Sequence, residues 1–77
     1  MHIYTDTYYM AGVKYVQAST PNRGKTVSIP TDKSLNDCQN ASKVAGLLRE
    51  DLGLEGGRWM PQQTGTDRYT FRDEDDE

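Results

Sequence analysis

The chain has 77 residues, 34% hydrophobic and 27% charged, with a formal net charge of −3. That length excludes a second domain and leaves a thin core, near the lower limit at which a chain folds unaided, so stability is expected to lean on a partner or a dimer. The charge is uneven: Asp73, Glu74, Asp75, Asp76 and Glu77 are consecutive acids, and without them residues 1–72 hold nine bases against seven acids, a charge of +2.

Residues 2–20 are rich in Tyr, Thr, Val and Ile, with Ala11-Gly12 midway. This predicts two strands, Ile3 to Met10 and Val13 to Thr20, joined as a hairpin in which Gly12 supplies the unusual φ. Pro21-Asn22-Arg23-Gly24 is a second turn signal, and a third strand follows from Lys25 to Ile29, stopped by Pro30. Cys38, Ala41, Ala45, Leu48 and Leu52 then recur at helical spacing, with Leu35, Val44 and Leu47 widening the stripe. Ser34 is the expected N-cap, with Asp37 three residues on, so the helix should begin near Leu35. Gly53-Leu54 marks its end near Leu52. Trp59 and Met60 open a second hairpin, with its turn at Gln63-Thr64-Gly65-Thr66 and a last strand from Arg68 to Arg72 that puts Tyr69 and Phe71 on one face.

The predicted class is α+β: an antiparallel sheet of four to five strands, in the order β-β-β-α-β-β, with one amphipathic helix packed on one face. Residues 1–72 form a single domain and residues 73–77 a disordered acidic tail.

Little in the sequence points to catalysis. The only histidine is His2, at a terminus expected to fray, so a nucleophile–histidine arrangement has no base. Cys38 lies on the apolar stripe and reads as a small buried hydrophobe, and soft ligands are too few for zinc. Gly24-Lys25-Thr26 matches the end of a phosphate-binding loop, but Ser19 stands where that motif needs glycine and a strand, not a helix, follows. The acids of the tail lack the alternating spacing and central glycine of a calcium loop. No enzyme activity, cofactor or metal is therefore expected. A lone cysteine, with no signal stretch and no apolar run of about 20 residues, reads as a cytoplasmic chain that does not span a membrane.

Two surfaces are candidate binding sites. Alternation puts Tyr4, Tyr8 and Met10 on one side of the first strand and Ile3 and Tyr9 on the other, so one helix cannot cover them all. With Tyr15, these exposed aromatics and methionine suit a protein contact. The five acids Asp73, Glu74, Asp75, Asp76 and Glu77 could engage a basic surface built for nucleic acid.

Three strands followed by a helix, with Lys14, Arg23, Lys25 and Lys33 on the sheet and its turns, resemble the arm-type DNA-binding domains of phage integrases and the plant AP2 domains. The resemblance covers about residues 3–52 and is one of topology, since the only tryptophan, Trp59, follows the helix. It implies a sheet that enters the major groove, with those four bases as contacts. In size, charge pattern and lack of a catalytic site the chain is similar to phage-encoded inhibitors of bacterial defence, including anti-CRISPR proteins. That likeness implies a host protein or protein–nucleic-acid complex as partner, inside the bacterial cell, blocked sterically or by acidic mimicry. The protein-binding reading ranks first, with nucleic acid as partner only under the alternative, and a homodimer is open under either.

Overall fold

Met10 and Val13 are joined by two residues, Ala11 and Gly12, both left-handed at φ 51° and 78°. Two consecutive positive φ values give the turn whose twist matches that of paired strands. The computed structural model, which describes residues 2–20, 24–53 and 59–73, accordingly opens with an antiparallel hairpin of β1 (His2–Met10) and β2 (Val13–Thr20). Gly24, at φ 64°, donates its N–H to the Thr20 carbonyl and leads into β3 (Lys25–Pro30) beside β2. Pro21, Asn22 and Arg23 of the expected turn lie outside the described residues.

The helix α1 spans Asp37–Asp51, and its start differs from the expectation. Asn36, not Ser34, is the N-cap: its side chain accepts from the Gln39 N–H at 2.8 Å, while the Gln39 side chain accepts from the Asn36 N–H at 2.9 Å. Ser34 instead donates both its N–H and its hydroxyl to the Asp32 carboxylate, which holds that carboxyl below its ordinary range. The choice between two good capping residues is settled by Asn40. It is buried, it accepts from the Asp32 N–H at 2.7 Å, and its amide donates to the carbonyls of Asp32, Leu35 and Asn36. This anchor satisfies the backbone of residues 32–36 as a loop, so the first helical turn begins after it. The far end is as expected, with Leu52 as C-cap and Gly53 left-handed at φ 72°; Leu54 lies outside the described residues.

The second hairpin is β4 (Trp59–Gly65) and β5 (Arg68–Asp73). Its turn sits at Thr66-Asp67, later than expected, because Asp67 itself takes the left-handed conformation at φ 59°. A register irregularity between Gln63 and Gly65 absorbs the extra residue. Pro61 is tolerated within β4 because that strand is the sheet edge, where only alternate N–H groups point into the ladder. Asp73, assigned to the tail from sequence, pairs with Trp59 as the last residue of β5, while 74–77 lie outside the described residues.

All pairings are antiparallel, and the five strands run in the order β3-β2-β1-β5-β4. The first strand is thus central. His2, expected to fray, pairs with Arg72, and Ile3 faces Phe71. Thr5 fixes the same seam by donating its hydroxyl to the Tyr69 carbonyl at 3.1 Å. From the β3 edge the chain covers one sheet face with α1 and goes on to the β4 edge on the far side. Ala41, Val44, Ala45 and Leu48 of the helix close on Ile3, Val16, Ala18 and Phe71 to form the core. Cys38 is only half-buried, at the margin of this cluster, and Leu47 is 39% exposed, so the apolar stripe is narrower than its sequence suggests. At the other margin the Arg49 guanidinium lies over the Trp59 ring, 5.2 Å from its centroid, an arrangement that favours the charge on the ring's electron-rich face.

The cap assignment makes a direct prediction. Asn36→Ala should lower unfolding free energy by about 1 kcal/mol, whereas Ser34→Ala should change it by less than about 0.5 kcal/mol, read from urea denaturation midpoints at equal slope.

Candidate functional site

Alternation sorts every strand residue to one face or the other. The helix side carries Ile3, Thr5, Thr7 and Tyr9 of β1 with Lys14, Val16, Ala18 and Thr20 of β2. The opposite face has no covering element among the described residues. It presents Tyr4, Asp6, Tyr8 and Met10 from the central strand, Val13, Tyr15, Gln17 and Ser19 from β2, and Arg68 and Arg72 from β5, with Thr70 buried between the two arginines. Four expected contact residues, Tyr4, Tyr8, Met10 and Tyr15, therefore share one uncovered surface.

This face has two unlike ends. At the hairpin end the two-residue turn sets Tyr8 opposite Tyr15, and their rings stack with centroids 5.4 Å apart and planes 10° apart. The Tyr8 hydroxyl is hydrogen-bonded to Ser28 on β3, which fixes the ring further. Met10 and Val13 continue the apolar surface, 56% and 45% exposed. Tyr9 projects from the other side of the same tip and is 70% exposed. Nine residues of strand reach about 30 Å whereas fifteen of helix reach about 22 Å, so β1 can outrun the cover that α1 supplies. At the far end Tyr4 stacks on His2, and Arg68 and Arg72 stand in a column along the neighbouring strand.

Sequence reading missed Tyr9 and Val13 as contact residues. Tyr9 has the parity of the covered face, and only the relative lengths of strand and helix show that it escapes cover. Val13 was open to inference, because a turn joining residues 10 and 13 sets it beside Met10 on the uncovered face.

The basic residues assigned to a DNA-binding sheet do not gather on that face. Lys14 has the parity of Val16 and Ala18 and lies on the helix side, where its ammonium is 3.2 Å from Asp67 and 3.7 Å from Asp37. Lys25 is held by Asp51 of the helix at 3.2 Å. Lys33 is exposed in the loop before the helix, and Arg23 lies outside the described residues. Of the acidic run, the side chain of Asp73 and all of Glu74, Asp75, Asp76 and Glu77 lie outside them as well.

Lys14, Asp37 and Asp67 form a polar clasp that ties β2 to the first turn of α1 and to the β4–β5 turn. A hydrogen bond between the two carboxyls raises Asp37 above the ordinary carboxylate range and lowers Asp67 below it. The hydrogen bond to Asp67 raises the Lys14 ammonium above its usual value. Beside the clasp, loss of hydration raises the Tyr69 phenol, helped by Cys38, Asp37 and Asp67. Among the described residues no group of three His, Cys, Asp or Glu side chains is arranged to hold a metal ion, and no helix is long and apolar enough to cross a membrane. Comparison of the chain with known protein families, with curated proteins and with solved structures found no match.

The clasp has a signed pH dependence. Lys14 and Tyr69 are both raised, so each contributes stability that is complete below its ordinary value and is lost as pH climbs above about 10. Asp67 and Asp37 shift in opposite directions and oppose one another on the acid side. Lys14→Met should flatten the alkaline limb of a stability–pH curve while leaving the share of Tyr69, so the limb should shrink without disappearing. Urea midpoints measured from pH 7 to 11 on both proteins would check this.

Proposed function

We propose that the chain is a non-enzymatic protein-binding module that docks through the end of its β1–β2 hairpin and the adjoining aromatic half of the uncovered sheet face. The observation that carries this reading is the concentration of exposed apolar groups at one tip, with Tyr9, Met10 and Val13 next to the stacked Tyr8–Tyr15 pair. Scattered exposed hydrophobics are ordinary, but a contiguous group backed by a rigid hairpin is the form that contact surfaces take. Tyrosine and methionine suit such a role because they add large contact area, and a ring already held by stacking loses little further freedom on binding.

In its narrowest form the proposal is a phage-encoded or mobile-element inhibitor of a bacterial defence complex, anti-CRISPR-like. It would block a surface sterically, with the acids Asp73 to Glu77 in a place meant for nucleic acid. Size and charge pattern alone suggest this form. The alternative, a three-stranded sheet entering duplex DNA, is less favoured, since Lys14 and Lys25 are paired with carboxylates on the helix side.

Capture from a nuclease-treated bacterial lysate tests the docking surface. The wild-type chain should retain a defined protein that the Tyr8→Ala, Met10→Ser double variant binds at least about 30-fold more weakly, the effect of losing about 2 kcal/mol at an interface centre. Leu47→Ser, on the exposed side of the helix, should bind as wild type does. Equal retention by the hairpin variant would count against this surface.

A further inference from the structure

The end of the uncovered face away from the hairpin tip has a different chemistry. A notch of about 250 Å³ opens there between β1 and β5, bounded by Tyr4, Asp6, Ser19, Thr64 and Arg68. Continuing the β1–β5 register beyond Thr5 and Tyr69 sets Asp6 opposite Arg68. Yet the ion pairs among the described residues are Lys14 with Asp37 and Asp67, and Lys25 with Asp51. Asp6 and Arg68 thus face the same notch without closing on each other, an acceptor and a donor held apart. Tyr4, 46% exposed, forms an aromatic wall, and its ring is oriented by stacking on His2 with planes 19° apart.

Charge on this face is also one-sided. Among the described strand residues that alternation assigns to it, Asp6 is the single carboxylate, while Arg68 and Arg72 stand about 13 Å apart along one strand. The carboxylates of Asp37, Asp51 and Asp67, with the lysines they hold, are all on the helix side. A ligand for the notch should therefore be planar, carry N–H donors beside a carbonyl acceptor on one edge, and continue into an anionic chain.

We propose that this notch seats an unpaired base of a single-stranded nucleic acid. Tyr4 is the stacking wall, Asp6 and Arg68 meet the base edge, and Arg72 meets a backbone phosphate. Every base offers a π-face to Tyr4, and single-strand binders combine such stacking with a cationic track along the backbone, here Arg68 and Arg72. Guanine fits the edge best, since its two adjacent N–H donors match the Asp6 carboxylate and its O6 and N7 accept from arginine. A duplex is excluded from the notch because pairing occupies the edge that Asp6 would contact. The site adjoins the aromatic half of the face, with Asp6 one same-face position from Tyr8, but it shares no residue with the docking surface and stands or falls separately from that reading.

Fluorescence anisotropy with labelled single strands tests it on the full chain. At low salt, an alternating thymine–guanine oligonucleotide should bind saturably and more tightly than an all-thymine strand. Arg68→Ala and Tyr4→Ala should each weaken it about ten-fold, and Asp6→Asn should erase the preference for guanine. Met10→Ser, at the hairpin tip, should bind as wild type does. Arg68 and Asp6 are exposed side chains, so their variants keep the test open if Tyr4→Ala does not fold. The proposal is overturned if no single strand binds saturably, if Arg68→Ala binds as tightly as wild type, or if a duplex of the same sequence competes equally. It is also overturned if an acidic peptide displaces the oligonucleotide at equal concentration, which would assign the arginine column to a protein partner.

Discussion

A five-stranded sheet with one helix has one covered face and one bare one, and this inequality governs the rest of the molecule. The helix lies along the strands, with Asp37 at its start by Lys14 of β2 and Asp51 at its end by Lys25 of β3, so its small side chains, Ala41 and Ala45, can approach the sheet closely while Val44 and Leu48 fill the space beside them. Ile3, Thr5, Val16, Ala18, Thr20 and Phe71, of one parity on the three middle strands, are sealed on that side, whereas Tyr9 of the same parity and Pro61 and Gln63 of the β4 edge are exposed. Burial of the covered side is the main stabilising contribution open to a chain of this size. It also presents the aromatic residues of the opposite side on a stiff support.

The central position of β1 links stability to that surface. One strand carries Ile3 and Thr5 inward and Tyr4, Tyr8 and Met10 outward, flanked by the hairpin partner β2 on one side and the last strand β5 on the other. The hairpin partner brings Tyr15 and Val13 to the outer face, while the last strand brings Arg68 and Arg72. The bipartite character of the face, apolar at the tip and cationic toward β5, follows from this strand order. The clasp of Lys14 with Asp37 and Asp67 has the matching role on the inner side, where it neutralises a cation that a sheet-based DNA contact would have required.

Much of this was legible in the sequence where a local rule decides the outcome. Ala11-Gly12 between two β-rich runs fixes the hairpin, and its two-residue length fixes the register that sets Tyr8 beside Tyr15. The spacing of Ala41, Ala45 and Leu48 fixes the helix and its buried side. The parity of Lys14 with Val16 already placed it inside, a signal that the resemblance to DNA-binding sheets obscured. What escaped depends on contacts remote in sequence. Pairing of β1 with β5 joins residues at opposite ends of the chain, and no local pattern encodes that neighbour. The helix start turned on Asn40 reaching back to Asp32 and Leu35, and the last turn on Asp67 adopting a conformation more often left to glycine. Tyr9 escaped because its exposure depends on where the helix begins, Asp37 lying beside Lys14, the cross-strand partner of Tyr9.

The claim that one face is covered and the other bare is tested most directly by solvent paramagnetic relaxation of side-chain methyl resonances with a soluble gadolinium probe. Strong attenuation is predicted for Met10, Met60 and Val13, and near-complete protection for Ile3, Val16, Val44 and Leu48, which are 2% exposed or less. Protection of Met10 and Val13 equal to that of Ile3 in the free chain at low concentration would contradict the account.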